Sequence, residues 1–311
     1  MRKLVQDAFG TPAEVLRITE AARPEPGPGQ VLIEVAAAGV NPVDVAVSAG
    51  HYPLLGDPPF TAGWDVAGTV AAVGSGVSAF RPGDRVLGLP AFPAEAAAHA
   101  EYVLASANEL IPIPKGLAVE EAGALPLVGL TAYQALIGIA EVRPGQRVLV
   151  HRAAGGVGHL AVQLAKSRGA WVVGTASAGK HDLVRALGAD EVIDYQATDY
   201  TEVLAGLDVV FDLVGHDNGP RSAGVLRAGG VLVGALPAFL GLTQEEAAAR
   251  GIRLAGVDVR PSAHDLGHLT ALASDGALRV HVEAAFPLAD AAKAYETVAA
   301  GHVTGKVVLV P

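Results

Sequence analysis

Residues 145–195, GQRVLVHRAAGGVGHLAVQLAKSRGAWVVGTASAGKHDLVRALGADEVIDY, constrain the fold more than any other part of the chain. Val148, Leu149 and Val150 form a short apolar run with β-branched residues, the composition of a strand buried on both faces. A glycine cluster follows, and Leu160, Val162, Leu164 and Ala165 then lie in a run that suits a helix. A second strand is expected over 170–175 and a third over 191–194. Gly156, Gly158 and Ala161 fit the G-x-G-x-x-[G/A] dinucleotide fingerprint: the first position allows a tight turn, the second lets a pyrophosphate approach the backbone, and the third keeps helix and strand close. The free N–H groups and the dipole of the helix N-terminus would face the phosphates. A glycine turn that merely joins two packed elements is the alternative.

The end of the second strand bears on which dinucleotide. Sites for NAD carry an acid there, about 20 residues after the first glycine. Thr175 stands at that point, and the sequence continues Ala176, Ser177, Ala178, Gly179, Lys180 without one. A hydroxyl and an ammonium suit a 2′-phosphate. Two hydrogen bonds to a charged group contribute about 1.5–3 kcal/mol each before desolvation, enough for roughly a hundredfold preference for NADP. Tyr195, after the third strand, is placed to reach the same phosphate or stack on the adenine. An exposed Ser-Lys loop without a ligand is the competing explanation.

Composition excludes several classes. The chain has 311 residues, long enough for two domains, and is 51% hydrophobic and 17% charged. Its net charge of −10 opposes nucleic-acid binding, which needs a basic footprint. The sequence contains no cysteine, so disulfides, thiolate nucleophiles and Cys-ligated zinc are all absent. Residues 1–10 lack the apolar core of a signal peptide, and Gly or Pro interrupts every apolar run before it could span a membrane, so a cytoplasmic protein is expected.

Before the fingerprint, residues 1–120 read as β-rich. Strands are expected over 31–35, 66–73, 85–89 and 100–104, separated by Pro-Gly turns, which points to a compact barrel. Residues 120–140 look helical. After the fingerprint, strands over 207–211, 231–235 and 253–259 bring the second domain to six, the complement of a doubly wound sheet. Helices over 264–274 and from Asp290, and a strand over 306–310, follow. The domains expected are 1–120, 121–262 and 263–311.

Several motifs run in one order along the chain: AGVNPVD (38–44), GWDVAG (63–68), GDRV (83–86), LTAY (130–133), AAGGVG (153–158), GAD (188–190) and GKVV (305–308). In this the sequence resembles the zinc-free quinone oxidoreductase branch of the medium-chain dehydrogenase/reductase superfamily. The resemblance implies an α/β protein: a GroES-like β-barrel domain built from both chain ends, an inserted Rossmann doubly wound parallel sheet, catalysis in the cleft and a homodimer. Trp64 stands where zinc members carry a ligand His, so no metal is expected there. His264 and His268 have i, i+4 spacing, but a third ligand is not identifiable, and a solvated helix face accounts for them.

The same resemblance places site residues. Asn41 would lie near the nicotinamide, bonding the ribose or a substrate oxygen; shaping the turn before Pro42 explains it equally. Tyr52 resembles a pocket-lining aromatic whose phenol donates to a carbonyl gaining charge, with plain packing as the alternative. Asp44 is read as structural, and Trp64 as core. Thr131 matches a position beside the nicotinamide half, Val214 and Gly215 the turn under its ribose, and Gly234, Ala235 and Leu236 a strand end holding the carboxamide. Gly155, Gly156, Val157 and Gly158 would cradle the pyrophosphate. Lys306 either faces the cofactor or is a surface lysine on an edge strand.

The expected activity is NADPH-dependent hydride transfer to a quinone or an α,β-unsaturated carbonyl. Such acceptors place charge on an enolate or quinol oxygen that modest donors stabilise without zinc. An enoyl-thioester reductase, and an NADP-binding sensor or structural protein with little turnover, are the rivals.

Overall fold

The computed structural model describes residues 1–235 and 240–311; Leu236, assigned above to the cofactor site, lies outside them. The chain divides into two compact units. One comprises 1–130, 260–275 and 280–311, and the other 131–259 with 276–279. The first transition thus falls after Leu130, inside the Pro126–Tyr133 helix, rather than at residue 120.

In the first unit, strands β1 (Arg2–Gln6) and β2 (Leu16–Glu20) form an antiparallel hairpin. The main sheet contains β3 (Gln30–Val40), β4 (Val66–Val73), β5 (Arg85–Gly88), β6 (Tyr102–Ser106) and β7 (Leu110–Pro112). The hairpin and β7 escape sequence reading because they are short and carry neither strict alternation nor a long apolar run. β3 is the axis of this unit: it pairs with both β4 and β6, and Val31, Ile33 and Val35 pack with Val66, Val70, Val86 and Val103. Gly68 lets β4 pass close to β3, since a Cβ there would lie 2.1 Å from the Glu34 carbonyl oxygen.

The second unit carries β8 (Arg147–Val150), β9 (Trp171–Ala176), β10 (Glu191–Asp194), β11 (Leu207–Asp212), β12 (Leu226–Gly234) and β13 (Arg253–Gly256). They form one parallel sheet in the order β10-β9-β8-β11-β12-β13. This is the doubly wound arrangement, whose strand order reverses between β8 and β11 and which binds ligands at the carboxyl ends of its strands. Its apolar packing joins Leu149, Val173, Val210 and Leu232 from the central strands to Tyr200, Val225 and Ile252.

β14 (Val282–Pro287) and β15 (Lys306–Val310) return to the first unit, where β15 lies between β14 and β3. Both chain ends therefore build one sheet. The single helix expected over 120–140 is instead three pieces: Val119–Ala124, Pro126–Tyr133 and a π-helical turn over Gln134–Ile139. Pro126 has no N–H to continue the first piece, and the π turn closes with Ala140 N–H donating to Ala135 O at 2.8 Å.

Lys306 is neither a surface lysine nor on an edge strand. It is 3% exposed and its ammonium donates to Val40 O (3.0 Å) and Asn41 Oδ1, with Asp65 Oδ2 at 3.4 Å. Removing one partner of a buried ion pair strands the other charge, at a cost of about 3–5 kcal/mol. Lys306→Met is therefore expected to lower the urea-unfolding free energy by about that much. Lys306→Met combined with Asp65→Asn should recover a good part of the loss.

Candidate functional site

At the carboxyl end of β8 the chain turns into the glycine loop. The Gly156–Ser167 helix begins directly at Gly156, with Gly155 as its N-cap. A Cβ on Gly158 would lie 2.1 Å from the Arg152 carbonyl oxygen, so Gly158 is where helix and loop come closest. The fingerprint accordingly sits earlier than Gly156, Gly158 and Ala161: the stretch Ala153–Gly158 fits A-x-G-x-x-G, with Gly155 turning into the helix and Gly158 making the close contact. Ala161 lies within the buried face of the helix. The first-turn N–H groups, among them those of Gly156, Val157 and Gly158, have no intrahelical acceptor and offer an anion site.

Thr175, at the end of β9, faces inward. It is 3% exposed; its hydroxyl accepts from Arg152 N–H at 3.2 Å and meets His151 Nδ1 at 3.1 Å, while its carbonyl accepts from Ala153 N–H at 2.9 Å. The Thr175 side chain thus braces the glycine loop from beneath. Ser177 caps the short turn Ala178–Lys180, accepting at its carbonyl from Lys180 N–H. Asp194 of β10 is registered against Ala176 of β9, so Tyr195 and Ser177 leave the sheet from adjacent strand ends. Tyr195 is 56% exposed. Ser177, Lys180 and Tyr195 therefore share one end of the sheet with the glycine loop.

Across the switch point, Asp212 closes β11. Its Oδ1 accepts from the N–H groups of Val214 (2.8 Å) and Gly215 (2.9 Å), and Oδ2 from Asn218 Nδ2 (2.8 Å). This holds the turn that carries Val214, which is exposed, and Gly215, whose φ is +75°. Gly234 ends β12 and Ala235 follows it, with Ala235 N–H donating to Asp212 O and Gly234 O accepting from Val257 N–H. Those two backbone groups are therefore used within the sheet. Thr131 is buried near the start of this unit. Sequence reasoning missed His151, Asp212, Asn218 and Ser222; the signals they leave are a His just after β8 and an Asp ending β11, while Asn218 and Ser222 lie on the next helix with none.

In the first unit Asn41 caps the Pro42–Ser48 helix, and Asp44 Oδ2 accepts from Asn41 N–H at 2.7 Å. The Asn41 amide is turned inward: Nδ2 donates to Asp65 Oδ2 (2.8 Å) and Oδ1 accepts from Lys306. Asp65 Oδ1 accepts from Leu127 N–H at 2.6 Å. Beside this cluster, His99 bonds Gly39 O (3.2 Å) and the Tyr295 hydroxyl (2.9 Å). Burial pushes the Asp44 carboxyl up to about 7, against the Asn41 N–H bond and the Lys306 charge, and burial takes His99 down to about 4. Burial also raises Asp65 and lowers Lys306. Tyr52 follows the helix and is 47% exposed, its N–H donating to Ala46 O. Trp64 is fully buried, its Nε1 donating to Ala94 O at 2.7 Å and its ring edge-on to Phe92. His264 and His268 stack edge-to-face on the Ala263–Ser274 helix, and among the described residues no group of three His, Cys, Asp or Glu is placed to hold a metal.

Two families match by sequence: the alcohol dehydrogenase GroES-like domain over residues 27–115, and the zinc-binding dehydrogenase domain over 187–309. Quinone oxidoreductase of Rattus norvegicus is 34% identical over 98% of this chain and 95% of its own length. The pikromycin polyketide synthase component PikAII of Streptomyces venezuelae is 37% identical over 93% of this chain, which spans 8% of that longer protein. Among solved structures, quinone oxidoreductase from Coxiella burnetii matches with a TM-score of 0.95 and 37% identity, covering 100% of this chain and 99% of that one. Quinone oxidoreductase of Escherichia coli complexed with NADPH matches at 0.87 and 29%, covering both chains fully. CurK enoyl reductase matches at 0.90 and 28%, covering 99% of this chain and 98% of that one. A GroES-like unit built from both chain ends, together with a six-stranded Rossmann sheet built from the residues between them, defines a medium-chain dehydrogenase/reductase. The chain belongs to the quinone oxidoreductase family of that superfamily.

A buried carboxyl whose affinity for a proton rises on folding stabilises the fold most at low pH. The folded state holds a proton between pH 3.8 and about 7 that the unfolded chain gives up, so this contribution is lost as pH rises through that window. The stability of the wild type relative to Asp44→Asn, measured by urea unfolding at intervals from pH 4 to 8, is expected to fall as pH rises to about 7 and then level off.

Proposed function

We propose that this chain transfers hydride from NADPH to a quinone or an α,β-unsaturated carbonyl without zinc, with the second unit as its dinucleotide-binding domain and the first as its catalytic domain. The observation that carries the reading is the convergence at one sheet end of a glycine-loop helix N-terminus with Ser177, Lys180 and Tyr195, on a strand end that has no acid. The cradle fits a dinucleotide, because Gly158 admits no side chain and lies in the first turn of a 12-residue helix that presents its N-terminus there.

In this reading Gly155, Gly156, Val157 and Gly158 hold the pyrophosphate, and Ser177, Lys180 and Tyr195 the 2′-phosphate. Thr175 supports them from below. Thr131, Val214, Gly215, Gly234 and Ala235 hold the nicotinamide half. NADPH, when bound, supplies the hydride. The chain's own part is to orient the acceptor and meet the charge that develops on its oxygen. Tyr52 Oη is the proposed donor of the proton that this oxygen takes up, replenished from water. Asn41 acts from within its network, fixing the start of the helix that precedes Tyr52.

Zinc independence is supported by the donor set: the sequence has no cysteine, and Trp64, which the family resemblance places where zinc members carry a ligand histidine, spends its one polar atom on Ala94. A homodimer and a cytoplasmic location belong to the same proposal. Among the described residues no helix is long and apolar enough to cross a membrane.

The likeness to CurK enoyl reductase favours an enoyl thioester as the second substrate class to examine. Purified protein with NADPH is expected to consume it, followed by absorbance, when phenanthrenequinone, a 2-alkenal or an enone is added. Inactivity with all three overturns the reading, and faster turnover of crotonyl-CoA transfers it to the thioester reductases. Ser177→Ala and Lys180→Ala are each expected to weaken NADPH binding by about tenfold to a hundredfold while leaving NADH within about threefold, as calorimetry would show.

A further inference from the structure

His151 is the first residue after β8, two places before the glycine loop, and nothing in the proposed reaction uses it. It is 2% exposed, and both ring nitrogens are engaged: Nδ1 with Thr175 Oγ1 at 3.1 Å and Nε2 with Ser222 Oγ at 3.2 Å. Ser222 Oγ lies 3.3 Å from Asp212 Oδ2, and Asp212 Oδ1 holds the Val214 and Gly215 N–H groups. A continuous hydrogen-bonded chain therefore runs beneath the switch point. It starts at the strand end that leads into Ser177 and Lys180 and finishes at the turn after β11.

The chain has a direction. The Asp212 carboxylate can only accept, so Ser222 donates to it and accepts from His151 Nε2–H, which leaves Nδ1 of the neutral ring to accept from the Thr175 hydroxyl. Tyr200 packs edge-on to the imidazole, with ring centroids 4.8 Å apart, and its hydroxyl donates to Asn218 Oδ1 at 2.8 Å. Asn218 donates in turn to Asp212. Arg221 lies over the outer face of Tyr200 and pairs with Asp199 at 2.6 Å, so it closes the cluster toward solvent. Burial takes the imidazole down to about 4, with the Asp212 charge opposing, which keeps the single-proton form that this chain of bonds requires. A fully satisfied buried network of this kind has one geometry, and its members move together or not at all.

We propose that His151 is a positioning residue of the dinucleotide site, which ties the Thr175–Lys180 end, for the 2′-phosphate, to the Val214–Gly215 turn, for the nicotinamide ribose, and keeps the two ends in register. This rests on the reading of the second unit as the NADPH domain and adds to it a coupling between its halves. A ligand that spans both ends depends on their spacing, whereas one that occupies a single end depends only on local support.

The test compares NADPH with 2′,5′-ADP, which carries the adenosine half alone, by calorimetry on the full-length chain. His151→Phe fills the same space without either bond. It is expected to weaken NADPH about tenfold or more and 2′,5′-ADP about threefold or less. Thr175→Val and Ser222→Ala break the same chain on either side of the imidazole while leaving His151 itself in place, and each is expected to show the same excess loss for NADPH. They carry the test should His151→Phe fail to fold, and His151→Gln, which restores a donor toward Ser222, is expected to regain part of the NADPH affinity. Equal losses for the two ligands, or NADPH binding unchanged within twofold in folded variants whose melting temperature alone drops, overturn the coupling and leave the site assignment standing. A wild-type protein that binds neither ligand overturns both.

Discussion

An ammonium and a carboxylate removed from water hold the first unit together. Lys306 comes from the last strand and Asp65 from the loop before β4, and they meet over the Asn41 amide at the end of β3. Each member satisfies the others: Asp65 also receives Leu127 N–H, and Lys306 also bonds Val40 O. Desolvating two such ions costs several kcal/mol per ion, which their attraction offsets only when the remaining polar positions are filled, as they are here. What the arrangement secures is register. β15 pairs with β3 antiparallel, Val307 opposite Val40, so the neighbouring Lys306 reaches that single point and a slipped strand would bury an unpaired charge.

The second unit solves a similar problem with uncharged groups at its centre. Its parallel strands end together at the switch point, where loops must turn sharply and their backbone groups need partners. Thr175 accepts from Arg152 N–H and Asp212 from the N–H groups of Val214 and Gly215, while His151, Ser222 and Asn218 link these side chains to one another. The glycine loop and the turn after β11 thereby rest on the same buried support.

The sequence showed the second unit more clearly than the first. Parallel strands buried on both faces appear as apolar runs such as Val148–Val150, and a helix starting at glycine marks the loop. The mixed sheet of the first unit was legible where strands are long, as at Val66–Val73, and illegible in the β1–β2 hairpin. Residue types could also propose Ser177, Lys180 and Tyr195 for a phosphate, since each is polar and near a strand end. They could not reveal which way Thr175 or Asn41 points. Both have short polar side chains equally able to face a ligand or to satisfy a backbone, and neighbours 24 and 265 residues away decide the matter.

By itself, the sequence determined the alternation of strands and helices, the glycine turn, the absence of thiol ligands and the ordered motifs of a family, because these depend on local periodicity and residue identity. Only the tertiary structure decided that the fingerprint starts before Gly156, that Lys306 is an interior ion and that His151 joins the end of β9 to the Asn218–Val225 helix. Those outcomes depend on hydrogen bonds between residues distant in the chain, and a buried polar atom takes whichever partner the packed strands bring within about 3 Å.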